Sequence, residues 1–328
     1  MKKYVINRLM VSVVIFFCVA IIIYTIMRCI PTSFVEKKAM ERSQLPGSRS
    51  YTEWLTLLND HYGMGGNVVT GFITWFTRVL QGDFGESWKF SIPVVTKFQQ
   101  VIWDSFWLSM ITLTLRVVIS IPLGILSARK QYSKTDYAVT VFALIGISLP
   151  IFFFATLCKL IFSINLGWLD LFGKVGRDFK QLDSWGQALD IAKHYIMPVV
   201  TLTVVNIGDL MRYTRTNMLE VLNSDFIRTA RAKGLPERTV INKHAFRNTL
   251  IPVVTILGYT LPALFSGAMI TETLFQIPGI GYTSYLAIIE GDIPFTMFYL
   301  MFMTILTLVS TLLADIMYAV VDPRVHLA

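Results

Sequence analysis

Charge, histidine and cysteine are all scarce in this sequence. Aspartate, glutamate, lysine and arginine together make up 15% of its 328 residues, well under the roughly one quarter of an ordinary soluble domain. A chain so poor in ionised groups has too few of them to clothe a water-facing surface, which argues against a soluble enzyme or scaffold. The three cysteines, Cys18, Cys29 and Cys158, are scattered through apolar runs. They have neither metal-ligand spacing nor an even-numbered framework, so they read as small buried hydrophobes. Four histidines, His61, His194, His244 and His326, lie far apart and make no metal-ligating pair. Paired catalytic carboxylates and a phosphate-cradling Gly-x-x-x-x-Gly-Lys-Ser/Thr loop are also missing. The chain is therefore expected to hold no metal or cofactor and not to hydrolyse ATP itself.

Apolar residues are abundant instead: 54% of the chain is hydrophobic and the mean hydropathy is +0.58. A bilayer core about 30 Å thick needs roughly 20 apolar residues per helix. Six stretches meet that length: about Ile6–Ile30, Trp103–Ala128, Tyr137 to about Leu166, about Ile191–Met211, Thr249–Thr271 and Ile293 to about Val321. The expected fold is all-α and integral to the membrane, with six transmembrane helices. The first run is too long for a secretory signal core and has no small-x-small cleavage site before Pro31, so it is expected to be retained.

The net charge is +8, and its placement orients the chain, because cytoplasmic loops collect lysine and arginine. Lys2, Lys3 and Arg8 precede the first span, and Arg129, Lys130 and Lys134 lie between the second and third. Arg212, Arg215, Arg228, Arg231, Lys233, Arg238, Lys243 and Arg247 lie between the fourth and fifth. Glu272, Glu290 and Asp292, with no lysine or arginine among them, precede the sixth. Both termini are then cytoplasmic. The basic residues are not gathered on a soluble domain, so nucleic acid is not an expected partner. The chain divides into a first helix (1–30), an external segment (31–102) and a core (103–328) with five helices and a cytoplasmic loop (213–248).

Two connecting segments carry pattern. Within 31–102, Phe72, Ile73, Trp75, Phe76 and Val79 give Val68–Leu80 one apolar helical face, to pack on the spans or lie at the interface. The turn-rich Gly82-Asp83-Phe84-Gly85-Glu86-Ser87 follows it. In the cytoplasmic loop, Asn223, Ser224 and Asp225 are good helix N-caps, and Phe226–Lys233 contains no breaker. Gly234 can end that helix in the left-handed conformation and Pro236 can open the next. Two short helices meeting at an angle are expected, with Ala230 and Ala232 allowing close approach to another surface and Arg228, Arg231 and Lys233 offering charge to it.

At these residues the sequence resembles the permease family of bacterial oligopeptide and dipeptide ABC importers. Asp225-Phe226-Ile227-Arg228-Thr229-Ala230-Arg231-Ala232-Lys233-Gly234-Leu235, followed by His244, Arg247 and Asn248, is similar to the family's cytoplasmic coupling loop, the EAA loop. Gly82–Ser87 with Pro93-Val94 resembles its external signature. Ser148-Leu149-Pro150 with Leu166-Gly167-Trp168-Leu169 resembles the family around its third span, His194 with Pro198 resembles its fourth span, and Thr271–Phe275 with Pro278-Gly279-Ile280-Gly281 and Asp315–Tyr318 with Asp322-Pro323-Arg324 resemble its closing signatures. The order and spacing of these motifs cover nearly the whole chain. Departures are Thr32-Ser33 after Pro31, Arg116 and Lys159 at apolar places, and Thr311 where many members have Asn. Substrate specificity is therefore not carried across.

The resemblance implies a multi-pass protein of the bacterial inner membrane that forms half of a pore with a second homologous permease. It implies two separate ATPase subunits, which use ATP and Mg, beneath the coupling loop, and an external binding protein that delivers peptide. Arg116, Asn206, Asp209, Arg212 and Glu272 are candidate residues of the translocation path or subunit interface, because charge within an apolar span is a functional hypothesis by default. Arg116 is expected to find a carboxylate or carbonyl, and Lys159 to snorkel to the external interface. Pro198, Pro252 and Pro262 are candidate bends. An importer of nickel or another small solute shares these motifs. A channel or secondary transporter would need no ATPase, and the inverted repeats that would mark one are not seen.

Overall fold

The computed structural model describes residues 2–29, 33–61, 67–258 and 260–321. Its elements are α1 (Lys2–Cys29), α2 (Ser33–Ser43), α3 (Tyr51–His61), α4 (Val68–Leu80), α5 (Val94–Arg129), α6 (Lys134–Ser148), α7 (Ile151–Cys158) and α8 (Ser184–Leu222). They continue as α9 (Asp225–Ala232), α10 (Glu237–Thr239), α11 (Phe246–Gly258), α12 (Leu261–Phe265), α13 (Met269–Phe275), α14 (Ile280–Ile289) and α15 (Ile293–Val321). Wider π-helical turns extend α7 over Lys159–Asn165 and join α10 to α11 over Val240–Ala245. Among the described residues there is no strand, only a single bridge between Glu86 and Pro93.

Among the described residues, four helices are long and apolar enough to cross a membrane: Ile6–Cys29, Val94–Arg129, Ser184–Leu222 and Ile293–Asp315. At 1.5 Å per residue α5 and α8 exceed a bilayer core, so their ends carry side chains beyond it. Two expectations change. The third span is not one helix: α6 and α7 with its π turns meet at a bend of 100°. Proline at 150 disfavours helical geometry at Leu149, which is extended here. No single helix among the described residues covers Thr249–Thr271. α11 ends at Gly258, Pro262 opens α12 instead of bending a longer helix, and Gly267 at φ +75° precedes α13. Pro198 does lie inside a continuous helix, α8. The Asp322-Pro323-Arg324 motif falls outside the described residues, as does Pro31.

The chain divides into two compact units, one made by residues up to Ile102 with Thr283–Leu312, the other by Trp103–Tyr282 with the chain from Leu313. In the first, Ala20, Ile23, Tyr24 and Met27 of α1 pack with Val35, Ala39, Leu58, Trp88 and Ile293, Met297 and Met301 of α15. The expected amphipathic helix forms as α4, capped by Asn67, whose side chain accepts the Val69 N–H at 2.9 Å. Its Phe72, Trp75 and Phe76 pack against that core, with Phe72 and Phe76 edge-on to Phe17.

The Gly82–Ser87 segment is a built turn. Gly82 and Gly85 take positive φ, and Asp83 accepts the Gly85 N–H at 3.0 Å. The Ser87 hydroxyl donates to the fully buried Asp292, which also accepts the N–H of Trp88 and of Lys89, each at 3.1 Å. Asp292 caps α15 as well, through the Phe295 N–H at 3.2 Å. Lys89 pairs with Glu290 beside it.

In the second unit, α6 and α8 cross at glycines. A Cβ on Gly146 would meet the Val204 carbonyl at 2.6 Å, and one on Gly208 would meet Ile147 Cγ1 at the same distance. Small residues of this kind let helices pack closely where lipid supplies no hydrophobic drive. Cys158 is buried there, but Cys18 and Cys29 are exposed on α1, contrary to the expectation of three buried thiols. An apolar span is a setting that suits a thiol as well as a protein core does.

Candidate functional site

The loop after α8 folds into the expected elbow. Ser224 occupies the cap position of α9, its hydroxyl donating to the Val221 carbonyl at 2.6 Å. α9 ends at Ala232, Gly234 takes φ +77°, and Pro236 caps α10. Nothing lies within 4 Å of where a Gly234 Cβ would stand, so the glycine answers to backbone conformation alone.

α9 is anchored by two side chains. Ile227 is 0% exposed and Ala230 7%, packed with Ala128 of α5, Met218 of α8, and Val240, Ile241 and Ala245. Burying Ile227 contributes about 1.5–3 kcal/mol. Ala230, expected to face another surface, instead faces this core, because it stands three residues from Ile227 on the same side of the helix. The opposite side presents Asp225, Arg228, Thr229 and Ala232, with Phe226, Lys233 and Leu235 also exposed beside it. Arg228 pairs with Asp225 at 3.4 Å. Arg231 is taken by Glu237 across the elbow, its Nε and Nη2 donating at 3.2 and 2.8 Å. That guanidinium holds the Glu237 carboxyl below the usual glutamate range. His244 sits in the π turns, its carbonyl accepting the Asn248 side-chain amide at 2.7 Å, and Arg247 and Asn248 are exposed.

A buried ion pair braces the same end of the unit. Asp136, in the first turn of α6, accepts from Arg215 of α8 at 2.9 and 2.8 Å and from the Ser127 hydroxyl of α5. It also accepts the Tyr132 N–H at 2.9 Å. Asp136 escaped the sequence reading; the available signal was a carboxylate at the mouth of an apolar run, which needs a partner.

The candidate path residues separate into two places. Asn206, Asp209 and Arg212 follow one another along α8; Asp209 and Arg212 are exposed, while the Asn206 amide bonds the Leu202 carbonyl at 2.7 Å. Arg116 of α5 is half-buried and its Nε has no hydrogen-bond partner. Glu272 is elsewhere, with no exposed surface. It accepts from the Ser105 hydroxyl at 2.6 Å and from the N–H groups of Ala268 and Tyr282 at 3.0 and 2.9 Å. Ser105 in turn accepts the Ile280 N–H at 2.7 Å, so these groups tie α13 and the Pro278–Gly281 turn to α5. Lys159 is likewise held within the protein, donating to the Leu274 carbonyl at 2.7 Å with its ammonium 3.9 Å over the Phe172 ring.

Comparisons with known proteins point to one family. The pattern of the family described as "Binding-protein-dependent transport system inner membrane component" matches residues 120–327. The chain is 33% identical over 99% of its length to the oligopeptide transport system permease protein AppB of Bacillus subtilis, all of which is covered. It is 30% identical to the di/tripeptide transport system permease protein DppB of Pseudomonas aeruginosa, over 99% of each. Among solved structures, inward-facing MetNI methionine ABC transporter superposes with a TM-score of 0.54 at 17% identity, over 70% of this chain and 97% of that one.

Proposed function

Because this chain belongs to the family of inner-membrane components of binding-protein-dependent transport systems, we propose that it is the peptide-conducting permease subunit of an ATP-driven importer. The relatives it matches along their whole length are named for oligopeptides, dipeptides and tripeptides, which supports peptide as the solute class.

The observation that carries the mechanism is the docking of α9. A helix of eight residues is too short to persist alone. Here it is fastened by Ile227 and Ala230 to the ends of α5 and α8 and to the π turns Val240–Ala245, leaving a charged and partly aromatic outer face. A push on that face by an ATPase subunit is passed to the long helices as displacement, because the packed contacts beneath it do not yield continuously. The elbow at Gly234, clamped by Arg231 and Glu237, keeps α9 and α10 moving together.

In this reading both termini are cytoplasmic and the chain crosses six times, the third crossing bent and the fifth assembled from α11 to α13. Asp209 and Arg212 are exposed polar groups on a membrane helix; facing lipid is unfavourable for them, so they face the pore or a second permease. Arg116 stands behind them. ATP hydrolysis belongs to two partner ATPases, and peptide comes from an external binding protein.

Purification of the intact assembly from native membranes, with identification of its companion chains, tests the proposal. Two ATPases, a second permease and ATP-dependent uptake of peptide in proteoliposomes supplied with the binding protein are expected. Uptake by this chain alone would overturn it.

A further inference from the structure

The first unit contains a cavity of 560 Å³ that plays no part in the coupling surface or the α8 stripe. Its walls are the last turns of α1, one side of α4, the Gly82–Ser87 turn and the first turn of α15. Since α1 and α15 are membrane-length helices, a cavity between the end of one and the start of the other lies where both leave the apolar layer. Tryptophan and tyrosine side chains collect at that level of a bilayer, and arginines near helix ends snorkel to it.

The lining pairs opposite charges. Arg28, Arg78, Asp83 and Glu86 all border the cavity, with Tyr24 and Trp75 presenting rings. Met27, Ile293 and Met297 make the rest of the wall apolar. Two guanidinium groups suit a phosphate, which arginine recognises in two-pronged fashion. Two carboxylates would repel a purely anionic ligand and attract an ammonium, and an aromatic face favours the same cation. An apolar wall continuing from a charged rim suits a ligand with a tail. The opposite face of α1, at Ile22 and Ile26, is 55% and 56% exposed, so the helix that forms this wall has an apolar outer side suited to lipid. The volume is that of a small-ligand site.

We propose that this cavity seats a phospholipid whose headgroup carries both phosphate and a primary ammonium. The phosphate meets Arg28 and Arg78, the ammonium meets Asp83 and Glu86, and an acyl chain follows Met27 and Met297. The lipid then wedges α4 against α1 and α15, fixing the amphipathic helix in place.

The test uses the full chain with its co-purifying subunits in nanodiscs of equal phosphatidylethanolamine and phosphatidylglycerol, with retained lipid read by native mass spectrometry. Phosphatidylethanolamine is expected to be retained in preference. The double substitution Arg78→Gln and Glu86→Gln, both at exposed positions, should lower its occupancy about tenfold. Thr74→Trp, which fills the cavity and keeps all four charges, should lower it as well. Equal retention of phosphatidylglycerol, or unchanged occupancy in both variants, would overturn the proposal and leave only annular lipid.

Discussion

Arg215 of α8 grips Asp136 of α6 with two hydrogen bonds, and Ser127 of α5 completes the clasp, so one buried carboxylate joins three helices. Asp136 is 5% exposed and Arg215 25%. Removing one partner from such a pair leaves a buried charge uncompensated, which costs about 3–5 kcal/mol. Arg215→Leu should lower the melting temperature of the purified chain sharply. Arg215→Lys should recover part of the loss, because lysine restores charge without the fork. Combining Asp136→Asn with Arg215→Leu should cost less than the two changes summed, by about 0.5–3 kcal/mol. Strict additivity would mean that the two side chains do not interact.

The two sides of α9 should respond differently. Ile227→Ala removes a fully buried side chain and should cost about 2–5 kcal/mol, detected as rapid proteolysis between α8 and α11. Phe226 is 47% exposed, so Phe226→Ala should leave folding within about 0.5 kcal/mol of the parent. It should nonetheless weaken retention of the ATPase subunits during purification. Unchanged retention would remove Phe226 from the docking face.

At Gly234 the cost is conformational. Alanine meets no atom there, but left-handed backbone is about 1–2 kcal/mol less favourable for it. Gly234→Ala should fold and assemble while loosening the elbow, seen as faster amide exchange over 231–239. Gly234→Asn should be milder, since asparagine tolerates that conformation.

Arg116 can be tested through transport itself. Arg116→Leu is expected to abolish ATP-driven peptide uptake while the assembly purifies intact, and Arg116→Lys to keep part of the activity. Normal uptake by the leucine variant would take Arg116 off the path.

The elements written in local chemistry were legible in the sequence. The apolar stripe within Val68–Leu80 marks α4, and Gly234-Leu235-Pro236 marks the elbow. What escaped were features that depend on a distant partner. Ala230 is small whether it faces inward or outward, and only the packing of Ile227 against Met218 and Val240 decides it. Arg231 was expected to serve another chain, yet Glu237 lies six residues away and within reach once the elbow closes. Glu272 reads from sequence as an acidic loop residue because its partner Ser105 is 167 positions distant. The bend at Leu149 was in plain view as a residue before proline, but an apolar run on both sides masked it.

The bond from Ser87 to Asp292 spans 205 residues of sequence. During synthesis at roughly 5–20 residues per second, the turn waits about 10–40 s for its acceptor to be made. The helices before it must therefore sit in the bilayer half-finished while residues 103–282 emerge. A nascent chain arrested short of α15 should be a ready substrate for membrane quality-control proteases, and the last-made helix is what withdraws it from them.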